Sequence, residues 1–480
     1  MGIPQFGKTE WREPSLPESH RAQERSEQDL PQPLVPKNPM AENGYGDIML
    51  SWARQIFPFP RSLTGPGVVM TLDFLRRINP ELVVQAYPTG MKVFDWEVPK
   101  EWSVRSAFIE HIESGERFAD FQELTLHLVG YSEPIEAVLP LGDLISKLHT
   151  YPENEDWVPY VTSYYKSDWG FCLSEKTKRN LPDGDYRVHI DSELRDGNML
   201  LADAVFAGEL EQEVFFSSYI CHPSMANNEL SGPVLISALM LFLKSAFPNT
   251  RFSYRFVLAP ETIGSLTYIQ ENFDRLRANV VAGFNLSCVG DNRAYSTIGS
   301  RLGDTLADRA LEAALIGLPN LRNYSFLGRG SDERQYGAPG VDLPMVGFCR
   351  SKYGEYPEYH TSADNFELVT SDGLEGSFRV VSSIIRAFEF GLFPKITVLG
   401  EPQLGKRGLY PTTSRRGAYD GLSTRMNVIA YSDGSSLGSS GTSTTAINTD
   451  DAEALFGYDP VTAFGIRGDV DLDDWSVHNT

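Results

Sequence analysis

The chain has 480 residues, enough for two or three domains with proper cores. Its 42 Lys and Arg against 64 Asp and Glu give a net charge of −22, which works against phosphate backbones and anionic membranes and argues against nucleic acid or membrane as a partner. The 4 cysteines, Cys172, Cys221, Cys288 and Cys349, form no CxxC pair, a pattern of free thiols in a reducing compartment.

Residues 1–43 are rich in Pro, Glu, Gln, Arg and Ser and are expected to be disordered. The opening Met1-Gly2-Ile3-Pro4-Gln5-Phe6 lacks the charged and apolar regions of a secretory signal, and no apolar run is expected to reach bilayer length. Cytoplasmic residence is therefore the expectation. From 47 to 78 the apolar spacing predicts two helices around the turn Pro58-Phe59-Pro60-Arg61-Ser62-Leu63-Thr64-Gly65.

Between 83 and 207 short β-prone runs at 92–98, 124–129, 160–165, 186–190 and 199–205, separated by turn clusters, predict an inserted β-rich domain. Its Tyr164-Tyr165 and Trp169-Gly170-Phe171 read as core or as a wall over a site, with core the better fit for aromatics. The run 214–220 then predicts a buried strand and 232–247 a helix. Strands at 252–258, 280–286 and 343–348 follow, with helices to 278, over 304–316 and to 390, the last opened by a capping pair of Asp372 and Glu375.

The crossover Cys221-His222-Pro223-Ser224-Met225-Ala226-Asn227-Asn228-Glu229 joins that first strand to its helix. The carboxyl ends of parallel strands are where ligands bind in open α/β sheets. His222 and Glu229, then Glu261, Asp291, Asp332, Glu333, Arg334, His360 and Asp364 all fall at such ends, so residues far apart in sequence would converge on one edge. A lone His after a strand is more often a hydrogen-bonded structural residue, and Asn-Asn-Glu before a helix is often a cap; the convergence is what favours a metal site.

Several long motifs in one order carry a resemblance. Phe94-Asp95-Trp96-Glu97-Val98-Pro99-Lys100-Glu101-Trp102, Cys221-His222-Pro223-Ser224-Met225-Ala226-Asn227, Pro260-Glu261-Thr262-Ile263-Gly264-Ser265, Gly330-Ser331-Asp332-Glu333-Arg334-Gln335 and Glu358-Tyr359-His360-Thr361-Ser362-Ala363-Asp364 resemble a family of aminopeptidase-like proteins of unknown function. The likeness runs from about 48 to 410. It implies an α/β fold with a zinc-exopeptidase-like, mostly parallel sheet flanked by helices, an inserted β-rich domain, and a C-terminal winged helix. The aminopeptidase-like domain would occupy 44–82 and 208–393, the insert 83–207, and a reduced winged-helix-like module with a flexible acidic tail 394–480, where the Ser/Gly/Thr run 432–445 replaces expected helices.

More distantly the chain is similar to zinc aminopeptidases, glutamate carboxypeptidases and glutaminyl cyclases. Carried over by position, His222 and His360 match that group's first and last His ligands. Asn228 falls where a metal-bridging Asp is expected, Pro260-Glu261 where a Glu-Glu pair stands, and Ser287 where a further Asp stands. An amide and a hydroxyl cannot neutralise paired dications as two carboxylates do, so the expectation is one zinc ion held by His222, Glu229 and His360. Glu261 would be the general base, or alternatively a ligand itself.

Asp332 and Glu333 would hold a substrate α-amino group and Arg334 a carboxylate, unless the trio is a structural ion-pair loop. Asn228 and Tyr359 are expected beside the substrate, and Asp364 behind a histidine, orienting it. The expected activity is hydrolysis of an amide bond in a peptide or small amino-acid conjugate. The alternative is an inactive relative that keeps the pocket for binding.

Overall fold

The computed structural model describes residues 32–33 and 44–390, together with the backbone of a two-residue strand pair at 395–396 and 469–470. The expectations for most of 1–43 and for the module and tail after 393 lie outside the described residues.

The centre is an eight-stranded sheet in the order Val83–Pro88, Asn198–Phe206, Ser253–Ala259, Glu213–Tyr219, Val280–Leu286, Met345–Cys349, Tyr295–Ile298, Leu321–Tyr324. The four middle strands are parallel, and antiparallel strands flank them on either side. The chain leaves Glu213–Tyr219 to build Ser253–Ala259 on one side and then Val280–Leu286 on the other. The crossover after Glu213–Tyr219 therefore sits at a switch point, where such sheets open a crevice.

Both faces of this sheet are covered, which is why its strands read as unbroken apolar runs. Val214 and Phe216 face one core with the helices Tyr45–Ile56, Pro66–Ile78, Ser231–Ala246 and Ser371–Phe390, while Phe215 and Tyr219 face the other, shared with the inserted β segment. The helix Ser231–Ala246 is buried almost all round. The segment Ala226–Ala246 is, by length and apolarity, able to span a bilayer, against expectation, but 83% of it is buried inside the protein, the place of a core helix. Gly232 lets this helix start hard against the sheet: a Cβ there would lie 2.0 Å from Ser218 Oγ and 2.6 Å from Leu286 O.

The insert is smaller than the expected 83–207. Its first and last strands, Val83–Pro88 and Asn198–Phe206, pair in the large sheet. The separate sheet is antiparallel, in the order Arg117–Asp120, Glu101–His111, Asp185–Arg195, Ile135–Pro140. The run at 124–129 forms a 3-10 turn over Thr125–His127, and 160–165 forms no strand. Glu375 does not cap its own helix; its Oε2 accepts from Gly46 N at 2.8 Å, tying the last helix to the first.

One buried charge cluster braces the sheet away from the crevice. Glu213 accepts from Arg255 Nε at 2.5 Å, Arg255 Nη2 at 2.9 Å and Arg275 Nε at 2.9 Å. Burial alone would raise this carboxyl; the two arginines prevail and hold it below its usual range. Its stabilisation is therefore present above the unfolded value of about 4.3 and is lost as pH falls through the folded value. Glu213→Gln should destabilise the protein by about 3–5 kcal/mol at pH 7 in denaturant unfolding, with the gap to wild type closing below about pH 4.

Candidate active site

His222 lies just past the end of Glu213–Tyr219, and a single π turn, Ala226–Leu230, carries Asn228 and Glu229 into the helix that follows. Irregular turns of this kind gather at functional positions. Left-handed backbone at four non-glycine residues, Ser224 (φ 44), Thr262 (φ 65), Cys288 (φ 52) and His360 (φ 56), falls in the loops around it. Each costs about 1–3 kcal/mol, held in place by the surrounding structure.

The His222 ring is fixed from both sides. Nδ1 lies 2.8 Å from Glu229 Oε2, and Nε2 lies 3.5 Å from Glu261 Oε2. Arg61, from the first turn of the chain, is fully buried behind this pair. Its Nε donates to the His222 carbonyl at 2.9 Å and stands 3.8 Å from Glu229 Oε1, and its Nη1 donates to Ile56 O at 2.5 Å. Burial pushes Glu229 well above the usual carboxylate range against the pull of Arg61, and lowers His222 to about 3, so the imidazole is neutral. The Arg61 charge opposes the effect of burial on Glu229; an ionised Glu229 takes its hydrogen bond from Nδ1–H and leaves the Nε2 lone pair on the Glu261 side.

His360 approaches from the other side of the crevice, its ring centroid 5.6 Å from that of His222. It stacks on Tyr359 at 3.9 Å and meets the edge of Tyr160 at 5.2 Å. Burial, with His222 as a smaller cause, lowers it to about 3, so this ring too is neutral. Its loop is stitched to the inserted segment: Tyr160 N donates to His360 O and Ser362 N to Val158 O, both at 2.8 Å.

The Glu261 side chain is 23% exposed, against 4% for His222. Burial raises Glu261 well above its usual range, the Asp332 charge adds to this, and Arg334 opposes it. Asp332 anchors the next helix, its Oδ1 accepting from Thr262 N at 2.8 Å and Ser265 Oγ at 2.9 Å, while Oδ2 is buried without a hydrogen-bond partner. Burial raises it to about 6. Arg334 Nη2 donates to Thr262 Oγ1 at 2.9 Å.

Three expected roles need correction. Glu229 sits on the Nδ1 side of His222, next to Arg61, and so cannot share a cation with Nε2; it holds the ring instead. Glu333 has no free carboxylate oxygen for a substrate amine, because it accepts from Gly330 N, Ser331 N, Asn285 Nδ2 and Tyr353 OH. Asp364 touches neither histidine: it accepts from Asn227 N at 2.5 Å, Asn228 N at 2.9 Å and Tyr356 OH at 2.9 Å, and so braces the π turn. Asp291, also at a strand end, is buried and tied to Asn227 and Ser351.

The residues that sequence reasoning missed are Arg61, Tyr160 and Tyr219. Tyr219 OH accepts from Asn228 Nδ2 at 2.7 Å, which fixes the amide and leaves Asn228 Oδ1 buried and unpartnered. Tyr164 packs against the core shared with the inserted segment, as expected, and its OH also lies 2.9 Å from that of Tyr160.

The donors offer two places for a divalent ion. Cys221, His222 and Glu229 lie within 4.8 Å of one another, but an ion there would displace the Glu229–His222 hydrogen bond beside the Arg61 charge, and burial keeps the Cys221 thiol protonated. On the Nε2 side Glu261 Oε2 lies 3.5 Å away and the neutral His360 ring 5.6 Å between centroids, whereas among the described residues only Cys221, His222 and Glu229 bring three ligand atoms within 4.8 Å of one another; an ion on the Nε2 side would have the two imidazoles as its nitrogen donors. Asn228 is a neutral amide, and Ser287 Oγ is engaged with Cys349 Sγ at 3.7 Å, so the residues fit one ion and not two.

A family model described as "Domain of unknown function (DUF4910)" matches residues 50–390. The chain belongs to this family. Beyond the DUF4910 region, a model described as a winged helix-turn-helix matches residues 393–437, extending into the Ser/Gly/Thr run at 432–445. A Clostridium acetobutylicum protein named "Putative polysaccharide biosynthesis protein with aminopeptidase-like domain" is 41% identical over 371 residues, covering 76% of this chain and 83% of that protein. The crystal structure of a "putative peptidase" from the same species aligns with a TM-score of 0.74 at 38% identity, over 82% of this chain and 90% of that one. The zinc aminopeptidase BSAP of Bacillus subtilis aligns with a TM-score of 0.52 at 12% identity, over 73% and 95% of the two chains, a likeness of fold alone.

Proposed function

We propose that the chain is a metal-dependent hydrolase of aminopeptidase type that cleaves an amide bond in a peptide or small amino-acid conjugate, with one zinc ion as its metal. The observation that carries this reading is the His222 ring, locked at Nδ1 by Glu229 with Nε2 turned to Glu261 across from His360. His222 and His360 would hold the ion. When bound, zinc polarises an amide carbonyl and makes water acidic enough to lose a proton near neutral pH.

The remaining roles belong to the chain's own groups. Glu261 accepts the proton from water and returns it to the leaving amine. Asp332 Oδ2, buried and unpartnered, accepts from the substrate α-amino group, and Asn228 Oδ1 lies ready for a second such donor. Arg334 and Tyr359, both half-buried, flank the substrate. Tyr160 and Tyr164 wall the crevice and keep bulk water from it.

The test is release of free amino acid from dipeptides, aminoacyl amides and aminoacyl-hexosamine conjugates, the last included because the Clostridium relative is named for polysaccharide biosynthesis. Turnover should be abolished by a chelator and restored by zinc. Metal-loaded protein that turns over nothing in the panel would overturn the hydrolase reading in favour of a binding protein.

A further inference from the structure

Among the described residues, three large aromatic side chains are exposed: Phe94 (53%), Trp96 (41%) and Tyr165 (52%). All three line one open cleft of about 560 Å³, together with Lys92, Asp95 and Glu97, a volume within the usual range of about 300–1,000 Å³ for small-ligand sites. Scattered exposed rings need no explanation, but rings gathered in one cleft mark a binding surface.

The cleft is built rigidly. Phe94 and Asp95 form the tip of a two-residue hairpin in which Val93 faces Trp96. Phe94 has φ 50, a turn position that glycine fills without strain, yet a phenyl group is held there. Gln270 pins the tip, accepting from Phe94 N at 2.9 Å and donating to Lys92 O at 3.1 Å. Tyr165 OH donates to Glu97 O at 3.1 Å, and its ring meets Trp96 edge-on at 5.9 Å.

The cleft is also joined to the site. Tyr165 follows Tyr164, whose hydroxyl meets Tyr160, and the Tyr160 ring lies 5.3 Å from His222. Gln270 lies seven residues, about 10 Å, along the helix Ile263–Asn279, which begins two residues after Glu261.

We propose that this cleft is a subsite for the carbohydrate portion of the substrate. What is cut there rests on the hydrolase reading; what is bound does not. Flat rings of Trp96, Phe94 and Tyr165 match the apolar C–H faces of pyranose rings, and the Asp95 and Glu97 carboxylates accept hydrogen bonds from their hydroxyls. A cationic ligand fits less well, because Lys92 Nζ already pairs with Glu97.

The experiment is saturation-transfer NMR on the full chain with diacetylchitobiose, cellobiose and melibiose, and with tetramethylammonium as the cationic control. At least one disaccharide should bind, Trp96→Ala and Tyr165→Ala should each weaken it tenfold or more, and Glu261→Gln should leave it within twofold. No transfer to any disaccharide, undiminished transfer in both aromatic variants, or stronger transfer to tetramethylammonium would overturn the proposal. The readout needs no turnover, so a protein that binds sugar through Trp96 but hydrolyses nothing would lose the hydrolase reading and retain this one.

Discussion

Glu261→Gln should lower kcat by about 10²–10⁴ on any amide substrate the protein hydrolyses, with KM changed by no more than about twofold. The substitution keeps the size and one hydrogen-bonding oxygen of the side chain but removes the group able to take a proton. Because Glu261 makes no side-chain hydrogen bond that holds the fold and stands 3.5 Å from His222 Nε2, the variant should fold and retain its metal. Metal content separates this role from the other open to the same carboxylate: a ligand converted to Gln would lose the ion along with activity. The comparison with Asp332→Asn is informative, since Asp332 also carries two hydrogen bonds that anchor Thr262 and Ser265. That variant should lose stability as well as substrate affinity.

Arg61→Met should be among the most destabilising single changes in the molecule. It leaves Glu229 fully buried with no cation nearby, and breaking a buried pair by removing one partner costs about 3–5 kcal/mol. It also removes the donor to the His222 carbonyl. Loss of a group that orients a metal-binding histidine lowers metal affinity by about 10–100-fold. Arg61→Lys should keep part of the charge effect but not both hydrogen bonds, and so fall between the two in stability and in zinc dissociation constant. Zinc affinity equal to wild type in a folded Arg61→Met protein would show that His222 needs no such support.

How far the site could be read in advance differs from residue to residue. That His222, Glu261 and His360 lie near one another was legible because short apolar runs locate strand ends, and parallel strands bring those ends together. Arg61 was not, because a cation between Pro60 and Gly65 has the signature of an exposed turn, and only the packing of that turn beneath the crossover buries it. The spacing of His222 and Glu229 announced a pair, but no spacing says which ring nitrogen a carboxylate will meet. Glu333 was misread for a similar reason: its partners, Asn285 and Tyr353, come from other strand ends and loops.

The fold shows the same limits. The central strands stood out because both their faces are covered. Glu101–His111 did not, because an irregularity between Val104 and Ser106 shifts its register and breaks the alternation of Trp102 and Val104 against Ala107 and Ile109. Ile135–Pro140 alternates cleanly but is short and mostly half-exposed, so its apolar face is weak in sequence.

The central claim is that one ion binds between His222 and His360, on the Nε2 side. The most direct measurement is elemental analysis of protein purified without chelators, for wild type, His222→Ala, His360→Ala and Cys221→Ser. The account predicts about one equivalent of zinc in wild type, none in either histidine variant, and wild-type content in Cys221→Ser, whose Sγ lies 3.6 Å from Nδ1 and otherwise accepts only from the Glu261 backbone N. Zinc lost with Cys221 but kept with His360 replaced would place the ion on the other face of the ring, and no metal in wild type after reconstitution would contradict the account altogether.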